Sequence, residues 1–301
     1  MPTLAVHVTY RSLPDWLPAE VWPFNVATID VDDSSIAISE AGRGPVLLFY
    51  TGIGSFVWRD VMLRLSSDFR CVVIDPPGIG LSGRAPRSAL TLKSSARAVQ
   101  RVIQVLDLRD VTLVLHDTGC PPALAAASRE PDRVCGIVGV NTFAWPPSGA
   151  AFRGMLALMG SGPMRRFDAA TKLLPWVTST KFGVGRHLDE ASRRAYHAGL
   201  SQTIDAFHVY LGEALHSDSV FEEVRRALSG PFRRLPLLTI FGEHNDPLKF
   251  QPQWKRLFPS ARQLVIPKGN HFPMCDDPDR VANAIRDWHH ELIGHAGEAR
   301  S

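Results

Sequence analysis

Short, continuously apolar runs rich in β-branched residues, each followed by a turn and a helix-spaced segment, constrain this chain more than any other feature. They fall at residues 45–50, 71–74, 111–115, 135–140, 237–241 and 263–266. A strand wetted on one face alternates polar and apolar residues, whereas a run apolar at every position is covered on both. Two-sided burial with helical connections implies parallel strands in a βαβ series, so the fold class is α/β. Connecting helices are expected at 92–106 and 121–128, and at 278–290, where Asp277 stands as N-cap before Pro278 at the first helical position. Upstream, residues 29–31 and 36–38 alternate more and supply antiparallel edge strands.

The alternation stops between 143 and 231. That stretch opens on Trp145-Pro146-Pro147 and shows helical spacing around 152–158, 167–174, 189–200 and 205–215, with no strand-like run among them. The expectation is one sheet domain, residues 1–142 and 232–301, with residues 143–231 inserted over it as a helical cap.

Composition narrows the partners. With 301 residues, 45% hydrophobic and 21% charged, the chain has ordinary globular content. Its formal charge of +3 is dispersed, and the pairs Arg165-Arg166 and Arg233-Arg234 read as solvated faces, so nucleic acid is not implied. Cys71, Cys120, Cys135 and Cys275 lie far apart without a Cys-x-x-Cys, against both a zinc site and a disulfide framework. No basic-then-apolar leader and no apolar run of about 18 residues occurs. The expectation is a reduced, cytoplasmic monomer or homodimer with no membrane partner.

In an open α/β sheet the reactive groups gather at the carboxyl ends of the strands. The run at 111–115 continues into His116-Asp117-Thr118-Gly119, and a helix begins within a few residues. So tight a strand-to-helix turn needs the bare Gly119 and pushes the Asp117 side chain into the open. It also aims the Thr118 N–H and the helix N-terminus at whatever that side chain attacks. The run at 237–241 ends in Gly242-Glu243-His244-Asn245-Asp246-Pro247, which puts acids at a second strand end. The run at 263–266 leads into Pro267-Lys268-Gly269-Asn270-His271-Phe272, a loop with a single histidine. Earlier, Tyr50-Thr51-Gly52-Ile53-Gly54 follows the strand whose loop supplies a second oxyanion N–H, from Ile53.

This constellation resembles the α/β-hydrolases and, within them, the haloalkane dehalogenases and their epoxide-hydrolase relatives. The resemblance covers nearly the whole chain, including Val57-Trp58-Arg59-Asp60, Asp75-Pro76-Pro77-Gly78-Ile79-Gly80-Leu81-Ser82, Asn141-Thr142-Phe143-Ala144-Trp145-Pro146 and Arg194-Ala195-Tyr196. It implies an α/β-hydrolase fold with a mostly parallel sheet, flanking helices and an inserted helical cap. Residue by residue it makes Asp117 the nucleophile, His271 the base and Asp246 the orienting acid, with Glu243 as competitor for that last role. It gives Ile53 and Thr118 the oxyanion hole, and it implies no cofactor and no metal.

A carboxylate nucleophile selects the reaction. Its attack on an ester yields only an anhydride, but attack on a saturated carbon bearing a leaving group yields an alkyl ester that His271 and water can cleave. The expected substrate is a small apolar organic electrophile, with water as co-substrate: an alkyl halide, an epoxide or a strained lactone. The dehalogenase pattern of a Trp after the nucleophile and an Asn after the oxyanion-loop Gly is replaced by Thr118 and Ile53, and the loop's usual His by Thr51. Trp145 or Trp176 is then a candidate leaving-group donor, and Tyr210 a candidate acid for epoxide opening. His116 reads as a structural hydrogen-bonder, Tyr196 as a packing residue and His289-His290 as surface. A homologue that binds small ligands without turnover is the reading from a different class.

Overall fold

The computed structural model describes residues 8–298. Upstream lie β1 (Thr9–Tyr10), which no expected run covers, and the two expected edge strands β2 (Asn25–Val31) and β3 (Ser34–Ala41). Each of the six expected apolar runs then forms a strand: β4 (Val46–Thr51), β5 (Arg70–Ile74), β6 (Val111–Asp117), β7 (Val134–Thr142), β8 (Leu237–Gly242) and β9 (Arg262–Ile266). They make one nine-stranded sheet in the order β1-β2-β3-β5-β4-β6-β7-β8-β9. Strands β1 to β3 pair antiparallel, β3 joins β5 antiparallel, and β4 to β9 run parallel. The central strands β4, β6 and β8 are buried almost throughout, as two-sided cover requires. Strand β9 is mostly open because it ends the sheet.

The flanking helices are α1 (Arg59–Leu65), α2 (Leu92–Val105) and α3 (Cys120–Ser128). Between β7 and β8 come α4 (Ala150–Gly160), α5 (Gly162–Thr171), α6 (Leu173–Thr178), α7 (Glu190–Glu213) and α8 (Asp218–Ser229). Then follow α9 (Phe250–Leu257), α10 (Pro273–Asp276) and α11 (Pro278–Glu298). Helices α2, α3 and α8 pack in sequence on one side, and α1 packs with α10 and α11 on the other. The Asp277 carboxylate accepts from Arg280 N–H at 3.0 Å, so it caps α11.

Where helix spacing misleads, local chemistry decides. Segments 189–200 and 205–215 are one helix, α7, because nothing between them breaks the ladder and Leu200, Thr203, Ile204 and Phe207 keep a buried stripe. Segment 167–174 divides at Lys172, which adopts a left-handed φ of 55° while Asp168 accepts from the Leu174 N–H at 2.8 Å. Helix α8 lies within the segment expected as the helical cap, yet packs on α3 beside the sheet. Helices α4 and α7 cross at Gly160 and Gly212, where a Cβ on Gly160 would stand 2.5 Å from the Gly212 Cα. The buried pair His208–Asp168, 2.8 Å apart, joins α7 to α5.

Candidate functional site

Asp117 ends β6 with φ 49°, a left-handed conformation costly for any residue with a Cβ. The surroundings impose it. Strand β6 slips register against β7 between His116 and Asp117, Thr142 Oγ1 donates to the Asp117 carbonyl at 2.7 Å, and Gly119 N–H donates to the His116 carbonyl. Gly119 is obligatory here, since a Cβ would stand 2.5 Å from the Thr51 backbone of β4. The turn therefore projects the Asp117 carboxylate past the sheet edge, with α3 starting immediately behind it.

His271 faces it from the loop after β9, its Nε2 standing 3.7 Å from Asp117 Oδ2. Burial pushes the Asp117 carboxyl upward, but the His271 ring and the Thr118 N–H outweigh burial and hold it below the usual carboxylate value. The group is thus an anion.

The partner of His271 Nδ1 is Asn245 Oδ1 at 2.9 Å. Asp246, the acid expected there, is engaged elsewhere: its two oxygens accept from the N–H groups of Phe250 at 2.6 Å and Gln251 at 3.0 Å. The reason is local. Helix α9 starts after Lys249, a residue with no side chain able to cap it, so the orphaned first-turn N–H groups recruit Asp246. Glu243 is occupied as well, accepting from Lys268 N–H at 2.7 Å.

Asn141, at φ 38° near the end of β7, fixes which way Asn245 points. Its Oδ1 accepts from the Gly242 N–H at 3.0 Å, and its Nδ2 faces the carbonyls of Asn270 at 2.8 Å and His271 at 3.0 Å. Those partners have one polarity each, so the Asn141 amide has one possible orientation. The same Nδ2 lies 3.3 Å from Asn245, which must therefore present oxygen. An oxygen at His271 Nδ1 requires the proton on Nδ1, which reserves Nε2, 3.7 Å from Asp117, for proton transfer. In the sequence neither asparagine stands out, because Glu243 and Asp246 place acids on either side of Asn245.

His116 is buried beneath this loop and shared between two bonds: Nδ1 to Thr51 Oγ1 at 3.0 Å and Nε2 to the His271 carbonyl at 3.0 Å. The carbonyl can only accept, so Nε2 donates to it and Thr51 donates to Nδ1. Burial, aided by His271, drives the His116 pKa down to about 3, so the ring is neutral.

A cavity of about 460 Å³ opens over Asp117, walled by Ile53, Thr118 and the loops of Asn245 and His271 below, and by α4, α6 and α7 above. Its upper wall is Phe152, Met155, Leu156, Met159, Leu174, Val177, Phe207 and Leu211. The remaining expected contacts lie outside it. Trp145 packs on Phe250 and Trp254, with ring centres 5.5 and 5.4 Å away. Trp176 is 61% exposed on the far side of α6. Tyr210 donates to the Pro77 carbonyl at 2.9 Å, buried away from the cavity. Tyr196 packs on Phe56, and His289, expected at the surface, is buried edge-on to Phe69.

The model of the alpha/beta hydrolase fold family matches residues 44–278. The chain belongs to the α/β-hydrolases. A "Haloalkane dehalogenase 2" of Mycobacterium bovis is 26% identical over 279 residues, covering 88% of this chain and 95% of its own. A "Cis-3-alkyl-4-alkyloxetan-2-one decarboxylase" of Xanthomonas campestris is 27% identical over 280 residues, covering 83% of this chain and 91% of its own. A solved haloalkane dehalogenase loop variant from Bradyrhizobium elkanii superposes with a TM-score of 0.71 at 18% identity, over 98% of this chain and 99% of that one. That likeness shows the fold alone. This α/β-hydrolase is haloalkane dehalogenase-like in sequence, with oxetanone decarboxylases among its relatives.

Proposed function

We propose that this α/β-hydrolase cleaves apolar alkyl electrophiles through a covalent ester on Asp117. One observation carries the reading: an ionised carboxylate, held in a left-handed elbow at the floor of an apolar cavity, faces a histidine Nε2 3.7 Å away. Residues 143–215 act as the cap that closes the cavity.

In the first step Asp117 Oδ attacks a saturated carbon, the C–O bond forms, and the leaving group departs with its electron pair. In the second, His271 Nε2 takes a proton from water, which adds to the Asp117 acyl carbon. The N–H groups of Ile53 and Thr118 hold the resulting oxyanion. Collapse expels the alkoxide, which takes the proton back from His271, and the Asp117 carboxylic acid left behind releases its own proton to solvent and returns as a carboxylate. Asn245 orients His271 in place of Asp246, and an uncharged amide stabilises the imidazolium formed in this step less than a carboxylate would. Ester hydrolysis is then the slow step.

A second reading has support of its own. Among the described residues no Trp, Tyr, Arg or Lys lines the cavity, which leaves only the weaker amide and hydroxyl donors of Asn141, Asn245, Thr118 and Thr178 for a halide or an epoxide oxygen. A β-lactone carries its leaving group with it. Ring opening at the carbon bearing the ring oxygen releases a tethered carboxylate that needs no proton, and the oxetanone decarboxylase relative points the same way.

His271→Gln separates these readings from each other and from ligand binding without turnover. Incubated with haloalkanes, epoxides and β-lactones, it should accumulate an Asp117 adduct visible by intact mass, while hydrolysis slows about 10²–10⁴-fold. A haloalkane adds its alkyl group alone; a lactone adds its whole mass. A variant that binds these compounds and accumulates no adduct with any of them sinks the covalent mechanism.

A further inference from the structure

The outer face of the cap combines exposed apolar side chains with uncompensated positive charge. Met155, Val177 and Phe182 sit at the cavity edge and are exposed, Phe182 to 71%. Leu158, Phe167, Leu173 and Trp176 extend the exposed surface along α4, α5 and α6. Large exposed hydrophobics elsewhere in the described residues are scattered, apart from Leu248, which also lines the cavity. Apolar exposure concentrated on one element group marks an interaction surface.

Charge says what that surface meets. The basic residues between Phe143 and Leu188 are Arg153, Arg165, Arg166, Lys172, Lys181 and Arg186. The only acid there is Asp168, buried on His208. Arg165 is matched by Asp205 and Arg186 by Asp276. Arg153, Arg166, Lys172 and Lys181 have no carboxylate within ion-pairing distance among the described residues, and the Lys181 ammonium lies 5.3 Å over the Phe182 ring. A second copy of this face would bring like charges together. An anionic lipid surface fits both properties, taking aromatic and aliphatic side chains into its interfacial layer and cations at its headgroups.

We propose that the cap docks peripherally on anionic lipid bilayers through the exposed face of α4 to α6, with the cavity mouth turned toward the lipid. The sequence expectation of no membrane partner rests on spanning length, and no described helix is long and apolar enough to cross a membrane. Peripheral docking requires no such helix. The apolar rim is continuous with the cavity wall, so an apolar compound partitioned in the bilayer enters without crossing water. Docking itself does not depend on the chemistry at Asp117.

The test is sedimentation of the full chain with phosphatidylcholine vesicles, alone and mixed with phosphatidylglycerol, at low and high salt. Binding is expected to the anionic vesicles, weakened by salt. Arg166→Gln with Lys181→Gln should lower it about 25-fold, at about fivefold per cation, and Trp176→Ser with Leu158→Ser should also weaken it. The control pair Arg43→Gln with Arg109→Gln removes equal charge at the amino ends of β4 and β6, the opposite end of the sheet, and should change binding less than about twofold. Thermal unfolding identical to the parent certifies each variant's fold. No binding to anionic vesicles, or an equal loss from the control pair, overturns the proposal. So does a dimer in lipid-free solution that Trp176→Ser dissolves, which would assign the face to a second copy.

Discussion

The floor and the roof of the cavity are built by opposite means. On the floor, the polar groups around the histidine are tied to specific partners: Asn141 answers to Gly242, Asn270 and His271, and His116 to Thr51 and His271. On the roof, α4, α6 and α7 present almost only aliphatic and phenyl groups, and shape alone orients whatever enters. Under the proposed covalent mechanism, bond-making belongs to the strand ends and substrate choice to the helices. Substitutions in the floor should therefore change rates, and substitutions in the roof should change selectivity.

The sharpest break of that division is Asp117→Asn. An amide cannot attack a saturated carbon, so adduct formation and turnover should both fall by at least about 10⁴-fold with ligand binding retained. Residual turnover near the parent rate would place the nucleophile elsewhere.

Asn245→Asp tests the floor in the other direction. A carboxylate at His271 Nδ1 stabilises the imidazolium formed as water is deprotonated, so ester hydrolysis should accelerate by about 10 to 10². The Asp117 adduct, which should build up before steady state in the parent, would then disappear from intact-mass traces. The ¹⁵N shifts of His271 give a check that a merely structural role would not move. The parent should carry its proton on Nδ1, and Asn141→Leu, which frees the Asn245 amide to turn, should shift protonation toward Nε2.

The floor was also the part the sequence hid. The strands were legible because burial on both faces leaves an unbroken apolar run, and Asp117 and His271 because each follows such a run. Asn245 was not, since Glu243 and Asp246 flank it and a carboxylate is the usual partner of a catalytic histidine. The clue lay in α9: Lys249 leaves its first turn uncapped, which commits Asp246 to Phe250 and Gln251. Tyr210 and Trp176 fell on helical segments whose rotation about their axes spacing alone could not fix. A helix twisted by one residue turns a side chain about 100° away from the cavity.

Acid should loosen the floor in a manner the roof does not share. His116 titrates in the unfolded chain near 6.5 but in the fold only at about 3. The unfolded state therefore binds the proton first, and the stability His116 contributes is complete above pH 6.5 and drains away as pH falls toward 3. At pH 5 the loss is about 2 kcal/mol, from about 1.4 kcal/mol per pH unit. His116→Gln should lower stability at pH 7 yet remove this part of the decline between pH 7 and pH 5 in urea unfolding. An unchanged decline would mean that His116 is not held neutral.

The smallest effect belongs to the roof. Phe152 lines the cavity and meets Phe143 edge-on at 5.6 Å and Phe250 at 5.7 Å, so it shapes the wall above Asp117 without touching the reacting groups. Phe152→Ala enlarges the cavity and removes apolar contact from ground state and transition state alike. For a substrate that just fills the parent cavity, KM should rise about tenfold with kcat nearly constant. For a longer-chain homologue the new space compensates, and the preference between the two should shift toward the longer. A fall in kcat with KM unchanged would mean that Phe152 holds the reacting carbon in line with Asp117, and that the division between floor and roof fails at this residue.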